Sequence, residues 1–304
     1  MAAEPVHFIY TGGGQEAIPD GATHVSIDDS ITVIPADLFS CHKNIVELIC
    51  HEGVERIEGY AFYTCRRLKR VIIPGVKIIG KYVFSFSLVL TDVECPKLER
   101  IGDCAFTFCK SLSIINLQAV KVVGDTAFAH TALTDVDFGS NLESIEVHAF
   151  YNCSSLERLT IPLKERLINS CTTFTMCSKL KHMDLVERAV LNETVAALQS
   201  EKWRVSMKKE IDSINQSLPL ASAGSGDFSI NVAGEKTRVI REWMGRVLHK
   251  IVSYKAQHRR VLNEAASTFQ HVLPNDIVTK NVMSFLELPS HTFEGEDDGS
   301  DESQ

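Results

Sequence analysis

Nine cysteines lie between Cys41 and Cys177, a residue type that can ligate metal, form disulfides or attack as thiolate. Their spacing argues against each use. Cys104/Cys109 and Cys171/Cys177 leave four and five residues between partners, whereas a zinc or redox half-site is Cys-x-x-Cys with a companion half-site elsewhere. An odd count also misfits an extracellular disulfide framework. Carboxylates pair at Asp92/Glu94 and Asp135/Asp137, the arrangement that serves acid/base work or calcium. An open, solvated setting would deny them the burial that tunes a catalytic carboxyl. Gly12-Gly13-Gly14 leads into Pro19 and Asp20-Gly21, not into a helix carrying a lysine, so it reads as a turn and not as a phosphate loop. No nucleophile elbow, zinc-protease or kinase frame occurs. The sequence predicts no catalytic residue, no metal and no cofactor.

A period places these residues. Phe62, Phe84, Phe106, Phe128 and Phe150 follow one another at 22-residue steps, with Phe39 23 residues before them and Phe174 24 after. The frame around each recurs as Ile57-Glu-Gly59-Tyr-Ala61-Phe62-Tyr-Thr-Cys65-Arg-Arg-Leu68-Lys-Arg-Val71-Ile-Ile73-Pro74, and again at Ile101-Gly102, Ala105-Phe106, Cys109 and Leu112. Val71 and Ile73 alternate with Arg70 and Ile72, the signature of a half-buried strand. A unit this short cannot bury its own apolar face, so copies must stack. The frame resembles the BspA-type leucine-rich repeats over residues 22–186, and the whole chain is similar to the leucine-rich-repeat proteins that diatoms and other protists encode in many copies. The expected fold is α/β: a leucine-rich-repeat solenoid with a parallel sheet, about seven 22-residue repeats plus an amino-terminal half repeat at His24–Ile34, then an α-helical carboxyl-terminal extension.

The register sorts the side chains. Counting three back from each strand-opening residue predicts a buried ladder of His42, Cys65, Ser87, Cys109, His130, Cys153 and Cys177, packed as small side chains and free thiols. Residues between the inward strand positions face outward. They form the candidate partner-binding face: Ile49, Arg70, Ile72, Asp92, Glu94, Ile114, Asn116, Asp135, Asp137, Arg158, His182 and Asp184.

From Glu187 helical spacing replaces alternation. Trp203, Met207, Ile211, Ile214 and Leu218 form one stripe, and Ile240 to Phe269 another; the two predict an antiparallel helical hairpin. The expected division is an amino-terminal segment at 1–21, the solenoid at 22–186, a helical extension at 187–288 and a disordered acidic tail at 289–304. A solenoid end needs a cap, and the region Ala189–Leu198 is expected to supply it through Leu191, Val195 and Leu198. The hairpin from Trp203 is then left to project, with coiled-coil dimerisation as a possible use.

Net charge is −8, which argues against a nucleic-acid binder. No apolar run approaches the ~18 residues of a membrane span. The first twenty residues contain Glu4, Glu16 and Asp20 and no Lys or Arg, so no secretory leader is expected and a cytoplasmic location is. The functional expectation is a non-enzymatic protein-interaction scaffold for an unidentified protein or peptide; the alternative is an exported adhesion protein, a use to which some repeats of this type are put.

Overall fold

The computed structural model describes residues 4–198, 200–218 and 234–270. The end of the expected helical extension, the acidic tail and residues 219–233 between the two helical stripes lie outside them. Two compact units emerge. One draws on residues up to Pro162, Arg166–Val186 and Ile214–Arg241; the other on Leu163–Glu165, Glu187–Ser213 and residues from Glu242 onward.

The first unit is a stack of turns bonded to one another by parallel ladders. The expected open sheet is present, with Glu47–Ile49, Arg70–Ile72 and Asp92–Glu94 each pairing with its neighbour in the register read from the repeat. An extra strand precedes the half repeat: His7–Tyr10 pairs in parallel with His24–Ile27. The sheet is interrupted at the fourth turn, leaving five strands on one side and three on the other, Asp135–Asp137, Arg158–Ile161 and His182–Leu185. The break adjoins the fifth turn, where Phe128 and Leu133 are one residue closer in sequence than the equivalent Phe62 and Leu68. That turn's Ala132 and Thr134 amides reach back to the carbonyls of Leu112 and Ser113, while Asn116 accepts from the Gln118 amide through its own side chain.

A second parallel sheet, not anticipated, runs along another edge through six two-residue strands from Val33–Ile34 to Ser144–Ile145. Its Ile-Gly pairs bring the turns close: a Cβ on Gly102 would lie 2.6 Å from the Gly80 carbonyl carbon. A third ladder holds the turn around each phenylalanine. The amides of Tyr60, Phe62 and Thr64 donate to the carbonyls of Lys81, Val83 and Ser85 at 2.8, 3.1 and 2.8 Å. Tyr60 and Thr64 reach this geometry with φ of 61° and 60°, and their equivalents repeat it down the stack. A left-handed residue costs roughly 1–2 kcal/mol, and the inter-turn hydrogen bonds offset it.

The core is a column. Phe39, Phe62, Phe84, Phe106, Phe128, Phe150 and Phe174 stack with centroids 4.8–5.7 Å apart and are all buried. Beside it runs the ladder of small side chains, with one correction to the sequence reading. In the fifth turn the ladder position belongs to Thr131, buried and 3.3 Å from the Cys153 sulfur, and not to His130, because the missing residue falls after Thr131. Each thiol donates to the phenylalanine carbonyl of the preceding turn: Cys65 to Phe39, Cys109 to Phe84, Cys153 to Phe128 and Cys177 to Phe150, at 3.1–3.2 Å. Ser87 holds the same position, and its hydroxyl is buried without a hydrogen-bond partner. The longer C–S bond reaches where the serine oxygen does not.

The last turn is closed by side chains from farther along the chain. Thr237 accepts the Phe174 amide at 3.0 Å, the bond an eighth turn would take. Lys236 donates to the carbonyls of Cys177, Ser178 and Leu180 at 2.9, 3.0 and 2.7 Å. Asn215 accepts the Met183 amide at 2.8 Å. The helical turn Ile214–Ser217 (α3) packs on the strand His182–Leu185. These contacts come from the segment expected to project freely, so the sequence reading erred on where the backbone of the last turn finds its partners. Leu191, Val195 and Leu198, the residues expected to cap the stack, are buried and belong to the second unit, where α1 (Arg188–Ala196) packs on α2 (Glu201–Asp212).

Within that second unit the hairpin pairs antiparallel. Glu210 of α2 meets the portion of α4 (Glu235–Gln270) beyond Glu242: the Trp243 indole donates to its carbonyl at 2.8 Å, and Arg246 and Lys250 reach its carboxylate at 2.8 and 2.7 Å. Burial pushes the Glu210 carboxyl up, but these two cations outweigh it and hold it below its ordinary value. Trp203 stacks on Tyr254 at 5.5 Å.

Two outcomes follow. Phe106→Ala removes a wholly buried ring between two stacked neighbours and is expected to cost about 3–5 kcal/mol in denaturant melts. Ser87→Cys gives an orphaned donor the carbonyl its neighbours use and is expected to stabilise by about 1 kcal/mol; a lower melting point in that variant would refute the account of the ladder.

Candidate functional site

The sheet places the outward residues along one face. Ile49 stands in register with Ile72, and Arg70 with Glu47 on one side and Asp92 on the other. Ile72 is half-buried; Arg70, Asp92, Glu94, Asp135, Asp137, Arg158, His182 and Asp184 are exposed. The face is not continuous. Ile114 and Asn116 fall at the break in the sheet, where Ile114 is 72% exposed, and this separates Asp92/Glu94 from Asp135/Asp137.

The charges on this face largely satisfy one another. The Arg70 guanidinium lies 3.5, 3.0 and 2.9 Å from Glu47, Asp92 and Glu94. The hydrogen bond to Glu94 and the surrounding carboxylates raise its basicity further. Arg158 stands 3.8 Å from Asp135. A shallow cleft of about 370 Å³ lined by His24, Glu47, Arg70 and Asp92 opens at the amino-terminal end. Among the described residues no three His, Cys, Asp or Glu side chains converge as metal ligands. A flat face of exposed isoleucines and mutually neutralised charge suits contact with another macromolecular surface.

The structure shows a second surface that the repeat register alone does not predict. Along the turn edge, half-exposed rings form an unbroken series. Tyr60 stacks on Tyr82 at 4.8 Å, Tyr63 meets Phe86 edge-on at 6.0 Å, Phe86 stacks on Phe108 at 4.9 Å, and Phe108 on His130 at 4.2 Å. Tyr151 closes the series against His130 at 5.5 Å. Lys81 and Lys110 sit over the Tyr60 and Phe108 rings at 5.7 and 5.8 Å. Burial and the Lys110 charge hold the His130 imidazole below its ordinary value. The signal was available in the aromatics one and two positions after the repeat phenylalanine, Tyr63, Phe86, Phe108 and Tyr151.

The thiols offer the remaining reactive groups, and all nine are free. Burial pushes Cys50, Cys65 and Cys95 up to about 12 and raises Cys109 as well. Only thiolate attacks an alkylating agent, and at pH 8 a thiol at about 12 is deprotonated to roughly one part in ten thousand. Brief iodoacetamide treatment of the native protein at pH 8 is expected to modify the exposed Cys41 and Cys171 and spare these four, with full labelling only after unfolding; early peptide-mapped labelling of Cys65 or Cys109 would contradict the burial.

No protein of curated function matches the chain. Solved structures share the repeat at low identity. A Treponema pallidum (T. pallidum) leucine rich repeat protein is 24% identical over 46% of this chain and 72% of its own, with a TM-score of 0.42. A leucine rich cell surface protein from Faecalibacterium prausnitzii A2-165 is 19% identical over 54% and 60%, with a TM-score of 0.30. The pneumococcal vaccine antigen PcpA is 17% identical over 59% and 65%, with a TM-score of 0.27. The sequence profile of the BspA type leucine rich repeat region matches residues 21–119 and 77–193 with six copies, over half of the sequence, and the chain belongs to that family.

Proposed function

We propose that this chain is a non-enzymatic scaffold for protein–protein interaction that works through the open sheet face. The observation that carries this reading is the face itself: exposed Ile49 and Ile114, half-buried Ile72 and the Arg70 carboxylate set spread over successive turns of a rigid stack. Solenoids use such extended faces for broad contacts, and a small apolar centre ringed by polar groups is the common anatomy of an interface. Asn116, Asp135, Asp137, Arg158, His182 and Asp184 extend the proposed contact toward the carboxyl end.

The same proposal places the chain in the cytoplasm. Nine unbonded thiols fit a reducing compartment better than an oxidising one. Fractionation of the native cell separates this from export, since surface-labelled protein defeats it. Pairing of two chains through the helices belongs to the proposal as an additional contact, with the exposed Val205 and Val252 available to it.

The test is capture from native lysate by the immobilised full chain. Ile49→Glu combined with Ile114→Glu alters two exposed side chains, so the fold is expected to persist by circular dichroism while capture of the specific partners is lost. Unchanged capture by the folded double variant would overturn the use of this face.

A further inference from the structure

We propose that the turn edge of the first four turns is a second docking surface, and that its occupant is an extended acidic peptide segment carrying apolar side chains. This goes beyond the open-face reading and is independent of it.

The first ground is uncompensated charge. Lys43, Arg66 and Lys110 occupy one repeat position in the first, second and fourth turns, with Leu88 in the third, and Arg67 follows Arg66. All four cations are exposed. Among the described residues none of them forms an ion pair; Arg67 donates to the Asn44 side-chain oxygen at 3.3 Å, and Lys110 lies over the Phe108 ring. Elsewhere the repeats treat charge differently. Glu55, Lys77, Glu99, Lys121 and Glu143 alternate in sign at 22-residue steps, with Lys77 3.0 Å from Glu55 and Lys121 2.7 Å from Glu99. Like charges on adjacent rungs, about 4.8 Å apart along the stack, repel one another. The turn edge keeps that repulsion, and an anionic partner relieves it.

The second ground is the geometry of the adjoining rings. In the Tyr60/Tyr82 and Phe86/Phe108 stacks the planes are 8° and 14° from parallel, and His130 of the fifth turn covers the next face of Phe108 at 6°. Their faces are largely spent on one another, which leaves the edges outward. Ring edges carry the positive part of the aromatic quadrupole and so favour carboxylates and aliphatic groups. A single-stranded nucleic acid needs free faces on which bases can stack, and this column offers few. The four turns span roughly 15 Å at the sheet spacing, a length matched by about five residues of extended chain.

The experiment selects random dodecapeptides displayed on phage against the full chain, then measures the winning peptides by fluorescence anisotropy. Asp/Glu-rich, apolar-containing peptides are expected, with binding that weakens as salt rises. Arg66→Glu with Arg67→Glu is expected to weaken them about tenfold or more, while the Ile49→Glu, Ile114→Glu variant binds unchanged. Circular dichroism verifies that both variants are folded. Selection of no peptide, selection without acidic enrichment, or full affinity in the arginine variant overturns the proposal. So does displacement by a thymidine dodecamer at comparable concentration, which would assign the edge to nucleic acid. Loss of peptide binding with lysate capture intact leaves the scaffold reading standing, since capture and peptide binding are read by different variants.

Discussion

Every turn of this protein is apolar on the two sides that meet its neighbours, and no turn can bury those sides alone. Stacking is therefore the constraint on which all else depends. The phenylalanine column is its most costly element to disturb, because each ring from Phe62 to Phe150 is covered by the one before and the one after. The ladders on three edges lock the spacing of the column, and four thiols each tie their own turn to the phenylalanine carbonyl of the turn before. Left-handed residues at Tyr60, Thr64 and their equivalents are tolerated because neighbouring turns supply the bonds that hold them.

The same constraint divides surface from core in a regular way. Positions that meet the adjacent turn are set by packing, whereas positions that point outward vary from one turn to the next. Where outward charges serve the stack they neutralise each other, as along Glu55, Lys77, Glu99 and Lys121 and around Arg70. The turn edge departs from that economy, combining half-exposed rings with unpaired cations. A repeat protein of this kind can present different chemistry on different edges without altering its core.

Much of the architecture was legible because it is periodic. Equal phenylalanine steps gave the repeat, and alternation around Val71 and Ile73 gave the strand register that the pairing shows. What escaped was aperiodic or too short. Two-residue strands such as Ile78–Ile79 cannot display alternation. The missing residue in the fifth turn left two candidates for one ladder position, and only packing distinguishes Thr131 from His130. Thr237, Lys236 and Asn215 close the last turn through side chain to backbone bonds, which have no period to betray them. The outward face followed directly from register. The aromatic edge did not, because its rings shift between two positions of the repeat.

The closing contacts of the last turn also impose an order in time. Leu185 ends the final strand, and Thr237 lies 52 residues later. Turns of a solenoid can dock one after another as they leave the ribosome, each templating the next. At about 5–20 residues per second, the far end of the stack stays bare for several seconds after its last strand has emerged. During that interval the nascent chain carries an apolar terminus and a free Phe174 amide, the point in its life cycle when chaperone attendance or unwanted pairing with another nascent turn is most consequential.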